Sequence, residues 1–195
     1  METSTAEKLD EYFTYEQYCK WDDGVRYELI DGVAYMMAAP SQAHQEISGN
    51  LYIRLREFLK DKTCKIFYAP FDVYLNGDKK LETESKADEP DTVLQPDLLI
   101  VCDKSKLNGK ACIGAPDMVV EILSPSSGKH DTQTKYSKYL QAGVEEYWVV
   151  DPESKTLTAH TLNNGGYTTF TYSENQIAPV HILKDCKINL SDVFN

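Results

Sequence analysis

The sequence predicts one α/β domain built around a central mixed sheet flanked by helices, with additional β-hairpins. Three observations predict it. Apolar runs at 98–101 and 118–123, a helical pattern over 129–142 and a further apolar run at 146–150 give strand, strand, helix and strand in succession. Turn signals, Asp31-Gly32 and Asn163-Asn164-Gly165-Gly166, each lie between two strand-like segments. A chain of 195 residues with 42% hydrophobic residues suits a single domain over 1–195, with its core at about 12–194.

Taken in order, Thr14-Tyr15-Glu16-Gln17 has the form of a capping box and opens a short helix to about Trp21, in which Tyr15, Tyr18 and Cys19 share a face. Residues 26–30 and 33–37 read as a hairpin, because Asp31-Gly32 suits a tight turn that needs positive φ. Ser41 is the N-cap of a long helix to about Lys60, with Ile47, Leu51, Leu55, Phe58 and Leu59 as its apolar stripe and His44 in its first turn. Strands at 65–68 and 71–75 are interrupted by Pro70, and the charge-rich stretch 76–92 reads as a loop. Two strands bearing carboxylates follow, separated by the polar segment 103–115. Ser124-Pro125-Ser126-Ser127-Gly128 leads into the helix at 129–142, which Gly143 caps. A strand at 146–152 and a hairpin of 156–162 with 167–172 complete the order.

A net charge of −11 argues against holding nucleic acid by bulk electrostatics, although a divalent ion at an acidic site offsets repulsion of a polyanion. The cysteines at 19, 64, 102, 112 and 186 lack any C-x-x-C pairing, so reduced thiols are expected, with neither a disulfide framework nor a zinc site. The first residues have no apolar h-region, and no apolar run approaches a membrane span; a cytoplasmic protein is expected.

Chemistry points to Asp97 and Glu121. Asp97 stands in Gln95-Pro96-Asp97-Leu98-Leu99-Ile100-Val101 and Glu121 in Asp117-Met118-Val119-Val120-Glu121-Ile122-Leu123. A carboxylate in such a run is costly to desolvate unless a cation or hydrogen bonds meet it. For Glu121 the plain alternative is a buried ion pair, and for Asp97 a turn or capping role. Together they suit one hard cation. A lysine should complete the set. At ~100° per residue, Lys138 lies roughly 140° from the centre of the stripe formed by Tyr136, Tyr139, Leu140 and Gly143, which faces it to solvent. Lys135 lies about 80° away, where a long side chain can deliver its ammonium toward the sheet. An i,i+4 surface pair of Asp131 with Lys135 is the alternative, and Lys129 is unconstrained.

These residues carry a resemblance. Tyr27-Glu28-Leu29-Ile30-Asp31-Gly32, His44, Gln95-Pro96-Asp97, Val120-Glu121-Ile122-Leu123-Ser124-Pro125-Ser126, Asp131 with Lys135 and Tyr139, and Ala142-Gly143-Val144 before Glu146-Tyr147-Trp148 resemble the Uma family of restriction endonucleases, in the PD-(D/E)XK nuclease superfamily. The resemblance spans residues 12 to 194. It implies a restriction-endonuclease-like fold, with Asp97, Glu121 and Ile122 as ligands of Mg²⁺ or Mn²⁺ and Lys135 as the catalytic lysine. The position two after Glu121, where the superfamily usually has its lysine, is Leu123, so the resemblance implies that the lysine has migrated to the next helix.

The resemblance also places Glu28 and His44 near the site. His44 in a helix first turn feels the positive dipole end and should stay neutral, suited to accept a proton or bind a metal; local capping or packing is the alternative. Glu28 alternates with its neighbours and has a solvent-facing reading beside the catalytic one. Asp72 is a weaker candidate, and His130, His160 and His181 read as structural or exposed. The implied activity is metal-dependent endonucleolytic hydrolysis of phosphodiester bonds in nucleic acid, with DNA the expected substrate. The competing readings are a noncatalytic binding module and a metal-dependent hydrolase of a smaller phosphate ester. A homodimer is expected, since cutting both strands is more easily achieved by two sites on a twofold axis; Tyr12, Phe13, Tyr15 and Tyr18 at one end and Tyr167, Phe170 and Tyr172 at the other offer apolar area.

Overall fold

The computed structural model describes residues 8–76, 91–124 and 129–195. Strands β1 (Lys8–Tyr12), β2 (Tyr27–Ile30), β3 (Val33–Met36), β5 (Asp72–Tyr74), β6 (Val93–Leu94) and β8 (Ala111–Ile113) form one six-stranded sheet, in the order β1-β3-β2-β6-β5-β8. A second has the order β12-β11-β10-β9-β7-β4, from β4 (Lys65–Tyr68), β7 (Leu98–Val101), β9 (Met118–Ile122), β10 (Glu146–Asp151), β11 (Thr156–Asn163) and β12 (Gly166–Ser173). Both are mixed: β9 runs parallel to β10 and β5 parallel to β8, while the other pairings are antiparallel. A two-stranded ribbon of β13 (Ile177–Pro179) and β14 (Lys187–Asn189) closes the chain. Among the described residues the α-helices are α1 (Tyr15–Tyr18), α2 (Gln42–Phe58) and α3 (Lys129–Ala142).

Local chemistry accounts for these elements. Thr14 and Gln17 bond each other's backbone as a capping box at α1. The Ser41 side chain accepts from His44 N at the start of α2, which fixes His44 in the first turn. Both hairpin turns use two residues at positive φ, Asp31 (51°) with Gly32 (75°) and Asn164 (50°) with Gly165 (81°), the handedness that matches strand twist.

The second sheet is covered on both faces. Leu98 and Ile100 join Met118, Val120 and Ile122 against Leu51 and Leu55 of α2, while Leu99, Val101 and Val119 face Val73 and Leu94 of the first sheet and Tyr139 of α3. All four residues of β7 are buried because alternate side chains enter different cores.

Several expectations need correction. The polar segment 103–115 contains β8, and strands β1, β13 and β14 lie where no element was expected. Two of the five cysteines are joined: Cys64 and Cys102 follow each other across the β4–β7 ladder, next to the pair Lys65 and Val101, and form a disulfide. Spacing gives no hint of this pairing, because antiparallel strands far apart in sequence brought the two thiols opposite each other. Cys112 and Cys186 are buried and Cys19 is exposed, and these three are not disulfide-bonded. Most of the expected loop at 76–92 lies outside the described residues.

Candidate active site

Chain crossings between the two sheets create the site. The chain leaves β6 in the first sheet and enters β7 in the second across Gln95-Pro96-Asp97, so consecutive residues serve opposite sides of the junction. On one side Gln95 N–H donates to Glu28 Oε1 (2.8 Å), and its side-chain amide donates to Asp72 Oδ1 (2.8 Å) and to the Tyr18 hydroxyl (3.0 Å). Arg26 Nε donates to Gln95 Oε1 (3.1 Å). On the other side Asp97 Oδ2 accepts from Ile122 N (2.7 Å) and meets His44 Nε2 at 3.1 Å. Asp97 is thereby tied to the strand that carries Glu121.

Helix α3 delivers the cation. Lys135 Nζ lies 2.9 Å from Glu28 Oε2, and 3.2 Å and 3.3 Å from the two oxygens of Glu121. One turn further on, the Tyr139 hydroxyl donates to Glu121 Oε1 at 2.7 Å. Lys135 and Tyr139 share a helix face as i and i+4. Lys135, Glu28, His44 and Gln95 are all buried, and Glu28 does not face solvent.

The structure thus brings Asp97, Glu121, Lys135, Glu28 and His44 into one connected cluster. It sets Asp72 two hydrogen bonds behind it, through Gln95. The Asp131–Lys135 alternative lies outside the described side chains, as does His130. His160 stacks on Tyr147 and contacts Tyr136 and Tyr167, and His181 is exposed; neither touches the cluster. Lys138 is not simply solvent-facing: its ammonium bonds Asp31 Oδ1 in the first hairpin turn, and its side chain is 19% exposed.

Sequence reasoning placed Tyr139 in the apolar stripe and passed over its hydroxyl, which is bonded to Glu121 while its ring packs in the core. Gln95 was legible only as part of a motif. Its signal was a polar residue set directly before Pro96-Asp97, in the short link between two apolar runs.

Electrostatics separates this cluster from an ordinary buried acid. Glu146 is fully buried, but it takes N–H donors from Trp148 Nε1 (2.7 Å) and Ile182 N (2.9 Å). Glu121 instead shares one ammonium with Glu28 and feels the charge of a third carboxylate, Asp97. Burial pushes its carboxyl up to about 8; Lys135 opposes that rise, the charges of Glu28 and Asp97 add to it, and the Tyr139 hydrogen bond lowers it. Excess negative charge and oxygen donors suit a hard divalent cation, so the donor set fits Mg²⁺ or Mn²⁺. Ile122 has only main-chain atoms to offer, and its N–H is engaged by Asp97. Among the described residues, no three His, Cys, Asp or Glu side chains form a ready-made metal cage. In this state Lys135 satisfies the charge that a metal would otherwise meet.

Comparison with known proteins adds three findings. The model of the family described as "Uma2: Putative restriction endonuclease" matches residues 13–191. An uncharacterised protein of the cyanobacterium Synechocystis is 27% identical over 154 residues, which is 77% of this chain and 75% of that protein. A crystal structure from Anabaena variabilis, described as a "putative nuclease belonging to DUF820", superposes with a TM-score of 0.73 at 17% identity, covering 93% of this chain and 97% of that one. At that identity the likeness is one of fold.

Proposed function

Because the chain belongs to the Uma2 family, we propose that it is a metal-dependent endonuclease that hydrolyses phosphodiester bonds in nucleic acid, DNA foremost. One observation carries the reading: a buried lysine held by two acids stands beside a third acid fixed on the neighbouring strand, at a junction between sheets. Asp97, Glu121 and the Ile122 carbonyl would hold the ion. When bound, Mg²⁺ or Mn²⁺ supplies polarisation of the scissile phosphate and a water of lowered pKa.

The chain's own residues do the rest. Glu28, anchored by Gln95 N–H, holds the Lys135 ammonium in place, where it stabilises negative charge developing at phosphorus. Tyr139 fixes the rotamer of Glu121, and His44 Nε2 with Ile122 N–H fixes Asp97. His44 Nδ1 is buried without a hydrogen-bond partner among the described residues, so a neutral ring with its Nε2 proton on Asp97 leaves Nδ1 as an acceptor in reserve. The active form is a homodimer, which sets one site against each strand of a duplex.

Supercoiled plasmid incubated with Mg²⁺ or Mn²⁺, with chelator and with the Asp97→Ala chain as controls, tests this. Nicking or linearisation that needs both the ion and Asp97 supports it. Turnover of a small phosphate ester with DNA untouched would move the assignment to a smaller substrate. Ion binding without turnover of either would make this a noncatalytic module.

A further inference from the structure

Strand β12 ends the second sheet, and its hydrogen-bonding phase follows from the turn before it. Asn163 and Gly166 flank a two-residue turn and exchange both main-chain bonds, so Gly166, Thr168, Phe170 and Tyr172 bond inward to β11. Tyr167, Thr169, Thr171 and Ser173 therefore turn their N–H and C=O groups outward. Two bonds elsewhere agree with this phase. Leu162 N donates away from β12, to Glu145 O, and Ser173 N–H reaches past β11 to the Gln176 side-chain oxygen at 2.7 Å. The Ser173 carbonyl accepts from Gln176 N, so both of its outward groups are satisfied.

What remains is an outward row at Tyr167, Thr169 and Thr171, with no strand beside it among the described residues. It is bounded by Gly165 in the turn and by the Ser173–Gln176 closure, and Thr169 is its midpoint. The register with β11 is continuous, without a bulge. Strands β11 and β12 hold no Asp, Glu, Lys, Arg or Pro, in a chain of which 26% is charged. Charges, proline and bulges are the devices that keep a sheet edge from pairing, and this edge lacks all three. Residues 168 to 171 are exposed, Phe170 by 53%.

We propose that β12 pairs antiparallel with β12 of a second copy of this chain, about a dyad at Thr169. The dyad stands normal to the sheet, so each residue must meet one on the same face. This register sets Thr169 opposite Thr169, Tyr167 opposite Thr171 and Thr168 opposite Phe170. Every outward group then meets an outward group, giving two main-chain bonds at each of the three outward pairs. The cross-strand neighbours are uncharged β-branched and aromatic residues, which favour such pairing. A second copy suits this edge because two chains each carrying −11 repel over most of their surfaces and can approach through a neutral strip. The two six-stranded sheets become one of twelve. The placement rests on the homodimer reading above, and specifies where the copies meet.

Light scattering on the full chain, with two variants, tests it. Wild type is expected at twice the 22.1 kDa of the chain. Thr169→Lys, which sets like charges against each other across the dyad, should give the single-chain mass with unchanged circular dichroism. Thr169→Cys should form a disulfide-linked dimer on mild oxidation, since a hydrogen-bonded antiparallel pair is about 5.5 Å apart at Cα, within disulfide reach. Ile53→Cys, exposed on α2, should not do so beyond the parent level. If Thr169→Lys fails to fold, the cross-link decides. A wild-type dimer that survives Thr169→Lys, or that Thr169→Cys fails to cross-link, overturns this edge and leaves the homodimer standing. A wild-type mass of one chain at every concentration overturns both.

Discussion

Lys135 carries the charge balance of the cluster, and its removal leaves two buried acids without their partner. Lys135→Met should cost about 3–5 kcal/mol, the usual cost of breaking a buried pair from one side, whereas Lys138→Ala should cost no more than about 1 kcal/mol because Asp31 is exposed and solvates freely. Urea denaturation of the two variants checks the contrast, and equal losses would mean that Lys135 contributes only as a surface residue does. Glu121 gives a pH dependence of determined sign. Its carboxyl keeps a proton up to about 8 in the folded chain but releases it near the ordinary value of 4.5 when unfolded. The folded state binds the extra proton between those values, so stability falls as pH rises through that window. Glu121→Gln should flatten the fall. If the proposed ion binds there, Mg²⁺ should raise the melting temperature more at pH 8 than at pH 6, and not in that variant. At this scale the sequence was partly legible. Helical angles distinguish Lys135 from Lys138, but they carry no sign of Asp31 or of the Tyr139 hydroxyl, since those contacts join segments distant in sequence.

Elements with a strong local signal are the ones a reader of the sequence finds. The capping box at Thr14, the N-cap at Ser41 and the turns at Asp31-Gly32 and Asn164-Gly165 are short-range chemistry and need no tertiary information. Ser41→Ala should cost about 0.5–2 kcal/mol, the range for an N-cap deletion, and thermal unfolding measures it. Because His44 N is the donor that Ser41 satisfies, the same variant should also loosen the His44 contact to Asp97. Strands of two or three residues, such as β6 and β8, escape sequence reading because so few residues show no periodicity. Their partners define them: β8 exists as a strand by lying along β5.

In the molecule as a whole, the chain passes between the two sheets five times, and the crossing at 95–97 builds the site. A mixed sheet was legible; its division in two was not, because nothing local marks where an apolar run changes sheets. The Cys64–Cys102 bond closes a loop with a sequence separation of 38 around the crossings at 69–71 and 95–97. Reducing it should lower stability by about 2–4 kcal/mol, the range for a native cross-link, and a Cys64→Ser chain should already lack that increment. Denaturation with and without reductant checks both. The interleaving also bears on how the chain is made. Glu28 waits for a lysine 107 positions later, and β2 for a neighbour, β6, formed by residues 93–94. A ribosome must therefore release more than two thirds of the polypeptide before the acids acquire their counter-charge. Any product of premature termination upstream of α3 lacks Lys135 and Tyr139, so Glu28 and Glu121 are left without the ammonium and hydroxyl that meet them in the full chain.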